Sequence, residues 1–112
     1  MSIDLSKQKC KACSGNSSNL TNSQISIYLS TLDDWNVNEE NKMIFKKYSF
    51  KNFNQAMEFS NLVGKIADTE GHHPDITIGF GYCIIMIHTH AIKGLSINDF
   101  ILAAKIDKLN LN

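Results

Sequence analysis

Residues 82–90, "YCIIMIHTH", limit the possible folds more than any other stretch of the chain. The run is rich in β-branched and aromatic residues and bounded by glycine before it, which predicts a strand. Alternation along a strand sends Cys83, Ile85, Ile87 and Thr89 to one side and Tyr82, Ile84, Met86, His88 and His90 to the other. Both sides carry apolar residues. One face is expected to meet helices. The other, with Ile84 and Met86, is expected to meet another subunit.

The neighbouring segments supply the partners. Thr21 and Gln24 stand at the two positions of a capping box, with Leu20 and Ile25 as a staple, and Ile25, Tyr28, Leu29 and Leu32 form one apolar stripe. The pair Asp33-Asp34 suits the end of a helix poorly, so the chain is expected to turn there. A short strand with Trp35 and Val37, a polar turn over residues 38–41 and a longer strand over residues 42–50 read as a hairpin. Trp35 is expected in the core.

A long helix follows, with Phe53, Ala56, Met57, Ser60, Val63 and Ala67 on one stripe and Phe59, Leu62 and Ile66 beside it. Gly64 within it is expected to permit close packing. Pro74 ends the helix and pushes His73 toward extended backbone. Residues 76–78 and 82–90 then form a second hairpin around Gly79-Phe80-Gly81. The last helix starts at Ser96, with Asp99 in the capping-box position, Leu95 and Phe100 as staple, and Ile97, Ile101 and Ala104 as its buried stripe. The predicted architecture is α+β: a four-stranded antiparallel sheet with three helices packed on one face. Residues 1–19 are polar and expected to be flexible; residues 20–112 form a single domain.

The chain of 112 residues is 43% hydrophobic, enough for one core, and its 11 basic and 11 acidic side chains cancel. That balance argues against direct nucleic-acid binding. No apolar run reaches the length of a membrane span, and the N-terminus lacks the apolar stretch of a secretory signal, so the expected location is the cytoplasm. Cys10 and Cys13 form one C-x-x-C with no second cysteine pair to complete a zinc site. Cys83 reads as a small buried hydrophobe.

All four histidines fall in two clusters, His72-His73 before Pro74 and His88-Thr89-His90 at a strand end. A helix-to-strand junction and a strand end can meet around one cavity. Imidazoles titrate near neutrality, so such a cluster can give one proton and take another, which suits elimination of water. A histidine metal site and purely structural histidines are the competing readings. Adjacent histidines on an extended chain point apart, which makes joint coordination awkward.

The pattern Asp68, His72-His73-Pro74, Thr89-His90, Gly94-Leu95-Ser96 and Asp99 resembles the signature of the pterin-4a-carbinolamine dehydratases. "DDWNV" and "IFKKYSFKNFNQAMEF" resemble further segments of that family, and the similarity spans about residues 20–107. An N-terminal C-x-x-C is common among its bacterial members. The resemblance implies dehydration of a 4a-hydroxytetrahydropterin to the quinonoid dihydropterin, in recycling of the cofactor of aromatic amino-acid hydroxylases. It implies no metal or organic cofactor, and a homodimer or homotetramer.

Under the resemblance His72 and His90 match the acid–base pair and His73 a third histidine at the pterin. Pro74, Thr89, Ala91 and Ile92 match positions of the pterin site. Asp68 matches an acidic residue near the first histidine, equally readable as a solvated carboxylate. Asp99 reads chiefly as a helix cap. His88 has no catalytic match and is expected at the pocket rim or a subunit contact. Ile76, Ile78 and Gly71 depart from the family pattern, which leaves the preferred pterin open. Animal members also act as dimerisation partners of a transcription factor, so a protein-binding, coactivator-type module is the alternative function.

Overall fold

The structure, a computed structural model, describes residues 4–10 and 19–109. It contains the strands β1 (Asn36–Val37), β2 (Ile44–Ser49), β3 (Asp75–Gly79) and β4 (Tyr82–Ile87) and the helices α1 (Asn22–Ser30), α2 (Phe53–Glu70) and α3 (Ile97–Asp107). Two 3-10 turns, Leu5–Lys7 and His90–Ile92, complete it. The four strands form one antiparallel sheet in the order β1-β2-β4-β3, which places β4 inside the sheet between β2 and β3.

Register sorts the side chains. Tyr48 and Ile78 flank Cys83, Ile76 lies beside Ile85, and Ile44 beside Ile87. Cys83, Ile85 and Ile87 are buried beneath the helices. On the opposite face Phe45, Met86 and Asp75 make one row and Lys47, Ile84 and Thr77 the next. This face is thus more polar than β4 alone suggests, and Ile84 and Met86 are half-buried.

The predicted caps are present. Thr21 and Gln24 form one capping box and Ser96 and Asp99 another. In α2 the buried residues are Ala56, Phe59, Ser60, Val63 and Ala67. Phe53 does not join them and is 48% exposed. Side chains tilt toward a helix N-terminus, so the ring of this first residue points past the helix body. Gly64 serves no close contact either: a Cβ there would meet nothing within 4 Å.

The N-terminal segment was expected to be flexible; of its described residues, Leu5 is in the core and the turn Leu5–Lys7 packs against α3. Asp4 caps this turn by accepting from Ser6 N at 3.1 Å. Helix α3 is accordingly buried nearly all round, not on one stripe. The N-terminal turn, α2 and Tyr28 of α1 surround it, the Tyr28 and Phe100 rings lying 5.5 Å apart. Composition alone hid this because residues 1–20 are dominated by Ser, Asn and Lys. Cys13 lies outside the described residues, so the C-x-x-C reading does too.

Trp35 precedes β1 and is buried as expected, with its Nε1–H donated to Asp107 at 3.0 Å. Asp107 also accepts from Lys46 Nζ at 2.9 Å and from the Tyr48 hydroxyl. These donors offset the unfavourable placing of a carboxylate at a helix C-terminus. Among the described residues no helix is long and apolar enough to cross a membrane.

Candidate active site

The site begins at the end of α2. Gly71 adopts a left-handed φ of 66°, and His72 N–H reaches back to Ala67 O at 3.2 Å, closing the helix as a Schellman-type cap. A residue with a Cβ is strained at that φ, which accounts for glycine there. The chain leaves the cap extended, so the two histidines diverge. His72 turns inward and His73 outward.

His72 Nε2 lies 2.6 Å from Asp99 Oδ1, and their side chains are 12% and 0% exposed. The second oxygen of Asp99 accepts from Ser96 N and from Thr89 Oγ1, each at 2.8 Å. Thr89 Oγ1 is also 2.9 Å from Ser96 Oγ. An ionised carboxylate only accepts, so the pairing puts the ring proton on Nε2 and leaves His72 Nδ1 as the second, basic nitrogen. The N-terminus of α3 favours negative charge at Asp99. A buried anion that is fully hydrogen-bonded can fix one tautomer and one orientation of the ring.

His73 meets Asp68 at 3.0 Å, both side chains largely in solvent. Asp68 was expected near the first histidine of the doublet; it holds the second. The residue that orients His72 is Asp99, read from sequence chiefly as a cap. It performs both tasks because a capping-box carboxylate has two oxygens and the cap uses one.

His90 follows Thr89 directly and opens the turn His90–Ile92, which carries Ala91 and Ile92. Thr89 and Gly94 close this loop as an isolated bridge, with Thr89 N to Gly94 O at 2.8 Å. A Cβ at Gly94 would come within 2.6 Å of the Asn19 side chain. The ring of His90 packs against that of His88 at a tilt of 60°, centroids 4.1 Å apart. His88 Nε2 in turn lies 3.7 Å from Asp75 Oδ2. A cavity of about 310 Å³ opens there, lined by Lys42, Met43, His88, His90 and Lys93.

The strand expected over residues 82–90 ends at Ile87, and His90 opens the turn after it; through Asp99 and Thr89 the structure joins His72 to the start of that turn. Among the described residues no hydrogen bond links the His72, His73 and His90 rings directly. His88 was missed as a partner of His90, although period-two alternation puts both on one side. Among the described residues no three His, Cys, Asp or Glu side chains are gathered as a metal ion would require.

Behind the site, Glu70 accepts from Cys10 N at 2.9 Å and pairs with Lys105 at 3.3 Å. The Cys10 amide and Lys105 hold the Glu70 carboxyl below its usual range. Burial, reinforced by Glu70, pushes the Cys10 thiol up to about 12.

The family model described as "Pterin 4 alpha carbinolamine dehydratase" matches residues 18–109. The chain belongs to this family. A relative from Legionella pneumophila strain Corby, named "Putative pterin-4-alpha-carbinolamine dehydratase", is 46% identical over 110 residues, covering 97% of each chain. A relative of the same name from Nitrosospira multiformis is 48% identical over 106 residues, 95% of this chain and 92% of its own. Among solved structures, a transcriptional coactivator/pterin dehydratase from Brucella melitensis superposes with a TM-score of 0.76 at 26% identity. It covers 80% of this chain and 96% of its own. Family membership thus supports a pterin dehydratase in general terms, and the α+β fold is that of the Brucella protein.

Proposed function

We propose that this protein removes water from a 4a-hydroxytetrahydropterin, giving the quinonoid dihydropterin. The elimination breaks the C4a–O bond and forms a C4a=N5 double bond. One proton must reach the departing hydroxyl and one must leave N5. In our reading His72 Nδ1 takes the N5 proton, and the imidazolium of His90 protonates the hydroxyl. Asp99 is a positioning residue: it is fully buried, holds the His72 tautomer and stabilises the cation formed when that ring accepts a proton. His73, Pro74, Thr89, Ala91 and Ile92 frame the pterin. Each proton transfer is worth about 10²- to 10⁴-fold in rate.

The observation that carries this reading is the His72–Asp99 pair, whose buried carboxylate is shared with Thr89, the residue before His90. Family membership supplies the substrate class. No metal or organic cofactor enters the reaction so written. We place the enzyme in the cytoplasm beside an aromatic amino-acid hydroxylase, as a homodimer or homotetramer; the half-buried Phe45, Ile84 and Met86 on the outer sheet face favour such an assembly.

The test supplies the carbinolamine and follows quinonoid product by absorbance. His72→Ala and His90→Ala are each expected to lose at least two orders of magnitude in kcat. Full activity in the double variant would end the assignment.

A further inference from the structure

The cavity beside His90 has a composition that a neutral pterin does not require. Of its five lining residues, two are lysines and two are histidines, in a chain with no net charge. We propose that this cavity is an anion subsite, and that the preferred substrate is a pterin whose side chain ends in a phosphate or carboxylate. This rests on the dehydratase reading of the same site.

Three features support it. First, the lysines are uncommitted. Among the described residues the lysines in ion pairs are Lys7, Lys46 and Lys105, and Lys42 and Lys93 are in none. An ammonium group offers three donors and no acceptor, so its natural partner is an anionic oxygen.

Second, the backbone fixes where both lysines stand. Lys42 N–H donates to Asn38 Oδ1 at 2.8 Å in the turn before β2. Lys93 sits at φ 52°, ψ 44°, a left-handed conformation uncommon for a side chain with a Cβ, and its N–H reaches His90 O at 3.2 Å. The Thr89–Gly94 bridge holds that loop closed. The lysine at this position therefore follows His90 in a fixed turn.

Third, the cavity wall itself contains no carboxylate. Asp75 of β3 lies 3.7 Å from His88 and is 66% exposed. Met43 and the two tilted imidazole rings add less polar surface beside the lysines, suited to a ligand that carries its charge at one end.

The experiment uses the full chain and three 4a-hydroxytetrahydropterins with the same ring: one with a neutral dihydroxypropyl side chain, one phosphorylated, one carboxylated. The phosphorylated or the carboxylated substrate, or both, is expected to show kcat/KM on the order of tenfold above the neutral one, chiefly through KM, with the advantage shrinking as salt rises. The two anionic arms separate a phosphate site from a carboxylate site. In Lys42→Gln/Lys93→Asn the ratio should fall toward one; asparagine is chosen because it tolerates the left-handed backbone. Equal kcat/KM for all three substrates in the native protein overturns the subsite and leaves the dehydratase standing. If none of the three turns over, the dehydratase reading fails, and the subsite is judged by titrating inorganic phosphate while following the imidazole protons by NMR. Saturable shifts of His88 and His90 that weaken in the double-lysine variant support it, and unmoved rings overturn it.

Discussion

Asp99 Oδ1 accepts from His72 Nε2 at 2.6 Å across 27 residues of sequence, inside a carboxylate that solvent does not reach. The same carboxylate caps α3 and holds Thr89, so helix start, strand end and candidate base form one hydrogen-bonded unit. Disturbing any member should be felt at the others.

Asp99→Asn keeps the shape and can keep the cap but removes the charge behind His72. We expect kcat to fall roughly 10²-fold with KM little changed, because the loss falls on the proton transfer. Steady-state kinetics on protein shown by circular dichroism to be folded provides the check. An unchanged kcat would reduce Asp99 to a cap.

Thr89→Val deletes the hydroxyl that donates to Asp99 and faces Ser96, while preserving volume. It leaves buried acceptors short of a donor, and about 1–3 kcal/mol of stability should be lost. Thr89→Ser should restore most of it. Urea denaturation of the three proteins gives the comparison.

Leu5→Ala should loosen the N-terminal turn from α3. Leu5 is almost fully buried, and truncation of such a side chain costs about 2–5 kcal/mol. The same change should speed alkylation of Cys10. In the native protein burial raises the Cys10 thiol to about 12 and the Cys83 thiol to about 11, so the reactive thiolate is scarce near neutrality. Peptide mapping after timed alkylation should show both residues modified slowly in the native protein, and Cys10 faster in the variant. Equal Cys10 rates would contradict the docked turn.

Glu70 gives a pH dependence of known sign. Its folded-state pKa is lowered, first by the Cys10 amide and then by Lys105, against an ordinary value of 4.5. A depressed carboxylate contributes stability that is fully present above the unfolded value and is lost as pH falls through the folded one. Glu70→Gln should therefore be less stable than the native protein near neutrality, and the gap should close as pH drops below that range. Denaturation at a series of pH values tests this, and a gap that does not vary with pH would show that the charge of Glu70 is not involved.

The legible parts of the fold were those written in local spacing. Thr21 with Gln24 and Ser96 with Asp99 announced two helix starts because a capping box closes within four residues. The period-two run through β4 announced a strand with two apolar faces and set Thr89 apart from His88 and His90. The motif His72-His73-Pro74 with Thr89-His90 pointed to the site and to the family.

What the sequence could not reveal was which neighbour each side chain would choose. The resemblance set Asp68 near His72; the left-handed cap at Gly71 turned His73 toward it and sent His72 to Asp99. Leu5 looked like part of a polar tail until α3 offered a surface to cover. Lys42 and Lys93 meet at one cavity only because β2 pairs with β4, bringing the turn before one strand to the loop after the other. The sequence determined the elements, since hydrogen bonds within a turn of helix and alternation along a strand depend on nearby residues alone. The tertiary structure decided the chemistry of the site, because a carboxylate buried 27 residues from its imidazole acquires that partner only when helix and sheet have packed.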